Sequence, residues 1–199
     1  MKKTVALVGA TRALAVLGYA LAAAGYTVVL TGDFRRHPVR LLGRLPLVLL
    51  GVRFSVPQAN VRLVFSERDA CWESDLIIPS MPRKALAELA CKVNDVVTGK
   101  IVVSLQQSVD GNGETPMKFT SAIAAGELDR LFPHCRIVDA FWVEMAGHCR
   151  GTGISGNRAD VLVTGDEPEA VSTVVDIVSD LGYPPRMCAE RRPHDAING

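Results

Sequence analysis

Short β-branched runs alternate with helical stretches along this sequence, which points to a doubly wound α/β fold: a mostly parallel sheet with helices on both faces. Several of the runs are apolar throughout instead of alternating, as expected of strands covered on both sides. Gly25 and Gly182 stand where helices are usually capped.

The elements follow in order. Thr4–Val8 reads as a strand and leads into an alanine-rich helix over Ala13–Ala24. Thr27–Leu30 is the next strand. Residues 33–60 then replace the usual short passage, and Pro38, Pro46 and Pro57 break any long helix there. That segment reads as an enlarged helix-and-loop cover on the sheet or as a partner surface. Val61–Phe65 and Leu76–Pro79 are strands around a helix at Glu67–Glu73. A helix over Arg83–Val96 leads to a strand at Ile101–Leu105. The polar stretch Ser108–Lys118, "SVDGNGETPMK", leaves that strand where loops of such folds line ligand crevices, and it reads equally well as a solvated loop. A helix at Phe119–Leu131, strands at Ile137–Phe141 and Val161–Thr164, and a helix at Pro168–Leu181 complete the alternation. A last strand is expected near Pro185.

Composition narrows the function classes. At 199 residues the chain reads as a single domain able to bury a real core. Its 22 basic and 21 acidic residues leave a net charge of +1, which offers nothing to nucleic acid. A 48% hydrophobic content and a mean hydropathy of +0.20 argue against disorder. The most apolar later run, Leu45–Leu50, is far too short to span a bilayer, and no secretory signal is visible. The five cysteines include no CxxC pair, so they read as reduced thiols of a cytoplasmic protein. The four histidines show no metal-ligand spacing, and no metal is expected.

The first turn carries the chemistry. In "VALVGATRALAVLGYALAAAG" a strand feeds a helix through a tight turn, which aims amide hydrogens and a helix dipole at one spot. A diphosphate fits such a spot without a charged side chain. The strict GxGxxG pattern would need glycine at 9, 11 and 14, and the chain has Gly9, Thr11 and Leu14.

The turn Gly9-Ala10-Thr11-Arg12-Ala13-Leu14-Ala15 resembles the G-G-T-G-x-L-G turn of the deazaflavin (coenzyme F-420)-dependent NADP oxidoreductases. The reductase domain of the STEAP metalloreductases and the pyrroline-5-carboxylate reductases are related to that family. Further stretches resemble it too. "AGYTVVLTGDFRR" is similar to its second strand, and "SDLIIPSMPRKALAELACKVNDVVTGKIVVSLQQ" to its middle passage. "CRIVDAFWVEMAG" and "ADVLVTGDEPEAVSTVVDIVSDLGYPP" resemble its later ones.

The resemblance implies a Rossmann-type domain that binds NADP(H), with Gly9, Ala10, Thr11, Arg12, Ala13 and Leu14 at the diphosphate. Arg12 departs from the pattern: it either clasps the diphosphate or closes the site. Asp33 favours NAD, while Arg35 and Arg36 favour the 2′-phosphate of NADP. Ser80, Met81 and Pro82 are expected to line the cofactor after the fourth strand, with Ser104, Gln106 and Gln107 after the fifth. Trp142 follows the sixth, where an indole stacks on a flat substrate or is buried in the core. Glu144 and His148 are spaced to share a helix face, either as a general-acid pair for an imine or carbonyl or as a surface pair.

The expected activity is hydride transfer between NADP(H) and a deazaflavin or similar flat acceptor. Reduction of an imine, a carbonyl or an unsaturated peptide residue is the alternative on the same scaffold. A nucleotide-binding or partner protein without catalysis is a third reading. A homodimer is expected to use the α/β domain itself, through residues 41–56.

Overall fold

The computed structural model describes residues 2–9, 11–32, 60–107, 126–143 and 160–187, with the main chain alone at 12, 13, 106, 107, 141–143 and 160. In chain order its strands are β1 Thr4–Val8, β2 Thr27–Thr31, β3 Val61–Leu63, β4 Leu76–Pro79, β5 Ile101–Gln107, β6 Arg136–Val143, β7 Asp160–Gly165 and β8 Pro185–Met187. Its helices are α1 Arg12–Ala23, α2 Glu67–Glu73, α3 Arg83–Val93, α4 Glu127–Leu131 and α5 Pro168–Asp180.

The strands form one sheet in the order β3-β2-β1-β4-β5-β6-β7-β8. Neighbours run parallel except β6 and β7, which pair antiparallel. The strand order reverses direction at β1 and β4, which makes their boundary the topological switch point.

Each face of the sheet has its own apolar layer. Val5, Leu7, Val28, Leu30, Ile78, Val103 and Val138 pack with Leu14 and Leu21 of α1 and Val171 and Val174 of α5. Ala6, Val8, Ile77, Val102 and Ile137 pack with Leu86 and Leu89 of α3 and with Leu128 and Phe132 around α4. The crossovers thus put α1 and α5 on one face and α2, α3 and α4 on the other, as right-handed connections from the switch point require.

Local chemistry closes the helices. Gly25 N–H donates to Ala22 O and Tyr26 N–H to Leu21 O, both at 3.0 Å. Gly182 and Tyr183 repeat that pattern on Ser179 and Val178 at the end of α5. These are Schellman caps at the two glycines that the sequence marks as helix ends. The Ser66 side chain accepts from Asp69 N–H at 3.1 Å to open α2, and Pro168 opens α5.

At the amino ends of the strands, Lys2 and Tyr26 both reach Asp180, at 2.8 and 2.7 Å. This group ties β1 and the end of α1 to the end of α5. Lys100 donates to the carbonyl oxygens of Cys71, Trp72 and Ser74 and so caps the end of α2.

Some expectations are corrected. A continuous helix over Phe119–Leu131 is ruled out, because Gly126 sits at φ 82 and the described helix starts only at Glu127. The helix from Arg83 stops at Val93, and Val96 and Val97 turn back into the core. β3 ends at Leu63, although Val64 N–H still donates to Leu30 O at 2.9 Å. Strands β5 to β7 run two or three residues longer than read from their apolar stretches, because the ladder continues past the apolar runs. The expected strand near Pro185 is β8. The stretches 33–59 and 108–118 lie outside the described residues.

Candidate functional site

The site forms where β1 ends. Gly9 N–H donates to Thr31 O, and Ser80 N–H donates to Val8 O, both at 2.8 Å. The ends of β2, β1 and β4 are thereby drawn together around Gly9. Gly9 has φ 136, and a Cβ built there would lie 2.2 Å from the Ser80 carbonyl oxygen. Only a glycine fits this turn, on both counts.

Thr11 then caps α1: its Oγ1 accepts from Leu14 N–H at 3.2 Å. Helix geometry leaves the amides of residues 12 and 13 without an acceptor inside the helix. They open onto the switch-point crevice at the positive end of a twelve-residue helix. Leu14 lies wholly inside the core, so its side chain anchors the helix and does not face a ligand. Gly18, one turn further, lets α1 lie close on Leu7 and Val28.

One level of the sheet, at the carboxyl ends of β1, β2 and β4 and midway along β5 and β6, holds a feature that the apolar pattern concealed. Val8 is paired with Thr31 on one side and Pro79 on the other. Continuing the β4–β5 register by two residues sets Pro79 level with Ser104. Ser104 pairs with Asp139, and Asp139 with Thr164. Alternation from Val8, Ile77, Val102 and Ile137 puts this whole row on the face covered by α2, α3 and α4.

One level nearer the amino ends, the same face shows only Ala6, Ile77, Val102 and Ile137 from β1, β4, β5 and β6. At the level of Val8 it turns polar, with Thr31, Ser104, Asp139 and Thr164 exposed by 0%, 1%, 4% and 3%. The hydroxyls of Thr31, Ser80 and Thr164 are buried and find no hydrogen-bond partner among the described residues. Buried hydroxyls are normally satisfied, so those of Thr31 and Ser80, next to Gly9, are open to a partner that the described residues do not supply.

The structure therefore brings together Gly9, Thr11, Ser80 and Ser104 of the expected site residues. Met81 is almost wholly buried in the layer under α3, and Pro82 is exposed at the cap of α3. Arg83, next along, pairs with Glu127 at the start of α4. Arg12, Ala13 and Trp142 are placed in α1 and β6 by their main chain. Ala10, Asp33, Arg35, Arg36, Glu144 and His148 lie outside the described residues. Sequence reading missed Thr31, Asp139 and Thr164. Their one signal was a polar residue inside or at the end of an otherwise apolar run.

These residues fit a dinucleotide. The turn lacks the Cβ that would block it, the opening of α1 offers amides that have no acceptor inside the helix, and Thr31 and Ser80, on the strands flanking β1, supply hydroxyls with no partner among the described residues.

Known proteins give the same picture. Rat metalloreductase STEAP3 (Rattus norvegicus) is 29% identical over 161 residues, covering 78% of this chain. The chain spans 32% of STEAP3's length. The fold matches a crystal structure described as an F420-dependent NADP reductase from Arthrobacter sp., with TM-score 0.61, 20% identity, and coverage of 93% of this chain and 83% of that one. The chain has the Rossmann-type fold of these reductases. A pyrroline-5-carboxylate reductase from Coxiella burnetii matches at TM-score 0.60 and 11% identity, over 96% of this chain and 60% of the other. No family model matches the chain. The resemblance read from the first turn thus holds at the level of the fold and in the STEAP3 match. No described helix is long and apolar enough to cross a membrane.

Proposed function

We propose that this chain is an NAD(P)-dependent oxidoreductase that passes a hydride between NADP(H) and a deazaflavin or similar flat acceptor. The observation that carries this reading is the bare Gly9 turn at the switch point, opening onto α1. When bound there, the nicotinamide coenzyme supplies or takes the hydride. The chain's own residues hold the diphosphate at the amides that open α1 and offer the Thr31 and Ser80 hydroxyls beside it. Transfer between two ring systems needs alignment and exclusion of water more than a proton relay.

The preference for NADP over NAD is carried in this proposal by Arg35 and Arg36, with Asp33 pulling the other way. Fluorescence titration with NADPH and NADH tests the reading. Wild type is expected to bind NADPH more tightly than NADH, and Gly9→Ala to weaken NADPH at least about tenfold, worth ~1.4 kcal/mol. Failure of wild type to bind either coenzyme rejects the proposal. Unchanged NADPH affinity after neutralising Arg35 and Arg36 removes them from the site.

A second reading, reduction of an imine or carbonyl, is supported by the buried polar side chains on β5, β6 and β7, which extend well past the nucleotide turn. NADPH binding with flat absorbance toward every acceptor would instead support the reading without catalysis.

A further inference from the structure

The most exposed large apolar side chain among the described residues stands on the adenosine side of the nucleotide turn. Phe65 is 93% exposed, more than Leu63, Trp72 or Met187. Trp72 has the Lys100 ammonium over its ring, and Met187 lies on β8 at the opposite edge of the sheet. Phe65 follows β3, the edge strand beside β2, at the carboxyl ends of the strands.

The main chain is held on both sides of this ring. Val64 N–H donates to Leu30 O at 2.9 Å, and the Ser66 hydroxyl accepts from Asp69 N–H at 3.1 Å. A phenyl ring kept in water costs free energy that an apolar partner returns.

Strand register places the ring relative to the turn. Val8 is level with Thr31, and Leu30 with Leu63. Continued by one residue and by two, these pairings set Gly9, Gly32 and Phe65 in one line across the ends of β1, β2 and β3. At a strand spacing of about 4.8 Å, Phe65 lies roughly 10 Å from Gly9. Gly32, between them, has no side chain to fill the space. In folds of this class the adenosine ribose of a dinucleotide lies at the end of the second strand. A diphosphate at Gly9 thus sends its adenosine over Gly32, and the base arrives at the end of β3.

We infer that Phe65 is the platform on which the adenine base of the coenzyme stacks. This rests on the coenzyme reading above and assigns the far end of the same site. A flat base and a phenyl ring bury apolar area against each other in an offset parallel stack. Such a stack needs no hydrogen bond from the base, so one exposed ring on a fixed main chain is enough to make it.

Phe65→Ala and Phe65→Trp test the platform. Because the ring is exposed, both variants are expected to keep the wild-type melting temperature within about 2 °C. Phe65→Ala is expected to bind NADPH, and 2′-phospho-ADP-ribose, which lacks the nicotinamide, at least about fivefold more weakly than wild type. Phe65→Trp keeps an aromatic face and is expected to bind both within about twofold of wild type. Its added indole emission is expected to be quenched by 2′-phospho-ADP-ribose, more deeply than the emission of wild type.

Unchanged affinity of Phe65→Ala for both ligands overturns the platform. So does an added indole whose emission the ligand leaves unchanged. A shift of Phe65→Ala from dimer to monomer in sedimentation, at unchanged affinity, gives the ring to a second copy of the chain and also overturns it. If Phe65→Ala does not fold, the emission of Phe65→Trp decides. Wild type that binds neither ligand rejects the coenzyme reading and the platform together, whereas wild type that binds both as well as Phe65→Ala does rejects the platform alone.

Discussion

At Gly9, backbone conformation and space exclude a side chain together. The positive φ strains any other residue, and the Ser80 carbonyl occupies the place of a Cβ. Gly9→Ala should therefore cost about 1–3 kcal/mol of stability as well as coenzyme affinity, read as a lower urea midpoint. The Asp180 carboxylate illustrates a residue held by partners instead of by space. The Lys2 ammonium and then the Tyr26 hydroxyl hold its pKa below the ordinary 3.8. A lowered pKa in the folded state means a contribution present well above 3.8 and lost as pH falls through the lowered value. Asp180→Asn should lower the melting temperature at about pH 6 and make a smaller difference as the pH is taken well below 3.8. On Tyr26, burial and then Asp180 push the phenol pKa up, so its contribution is present below pH 10 and lost as pH rises above it.

Among the elements, α2 depends most on a single distant side chain. It has seven residues, too short to stand alone, and its last carbonyls have no helical partners. Lys100, at the foot of β5, gives its ammonium to three carbonyls at that end, and burial lowers its pKa. Lys100→Met should destabilise the protein by about 1–3 kcal/mol, because partly buried acceptors lose their donor. Coenzyme affinity should stay within about twofold, since Lys100 lies at the amino end of the strands and the candidate site at the carboxyl end. Denaturant melts and NADPH titration on the same variant separate the two effects. The Cys71 and Cys135 thiols near Lys100 are pushed up by burial, to about 12 and about 11, and belong to the packing of this end.

For the molecule as a whole, a ligand of the native state raises apparent stability by mass action. At one hundred times its dissociation constant, NADPH should add about 2.7 kcal/mol. For a chain of this size that is a rise of roughly 5–10 °C in melting temperature. A thermal-shift panel of NADP, NADPH, NAD and a deazaflavin reads it directly. No rise with any nucleotide would leave the fold intact and remove the nucleotide site.

By itself the sequence determined the doubly wound α/β class, the order of the elements, both glycine helix caps and the Gly9 turn. Each is a local signal: a run of β-branched residues, a glycine after a helix, a bare turn after a strand. Their physics operates within a few neighbouring residues, so it can be read along the chain. Where Phe119–Leu131 looked like one helix, a single glycine at φ 82 decided otherwise, which composition does not reveal. Only the tertiary structure decided that Thr31, Ser104, Asp139 and Thr164, far apart in the chain, lie in one buried row. Register between strands comes from the packing of both faces at once, so a polar residue in an apolar run has no assigned neighbour until the sheet is assembled.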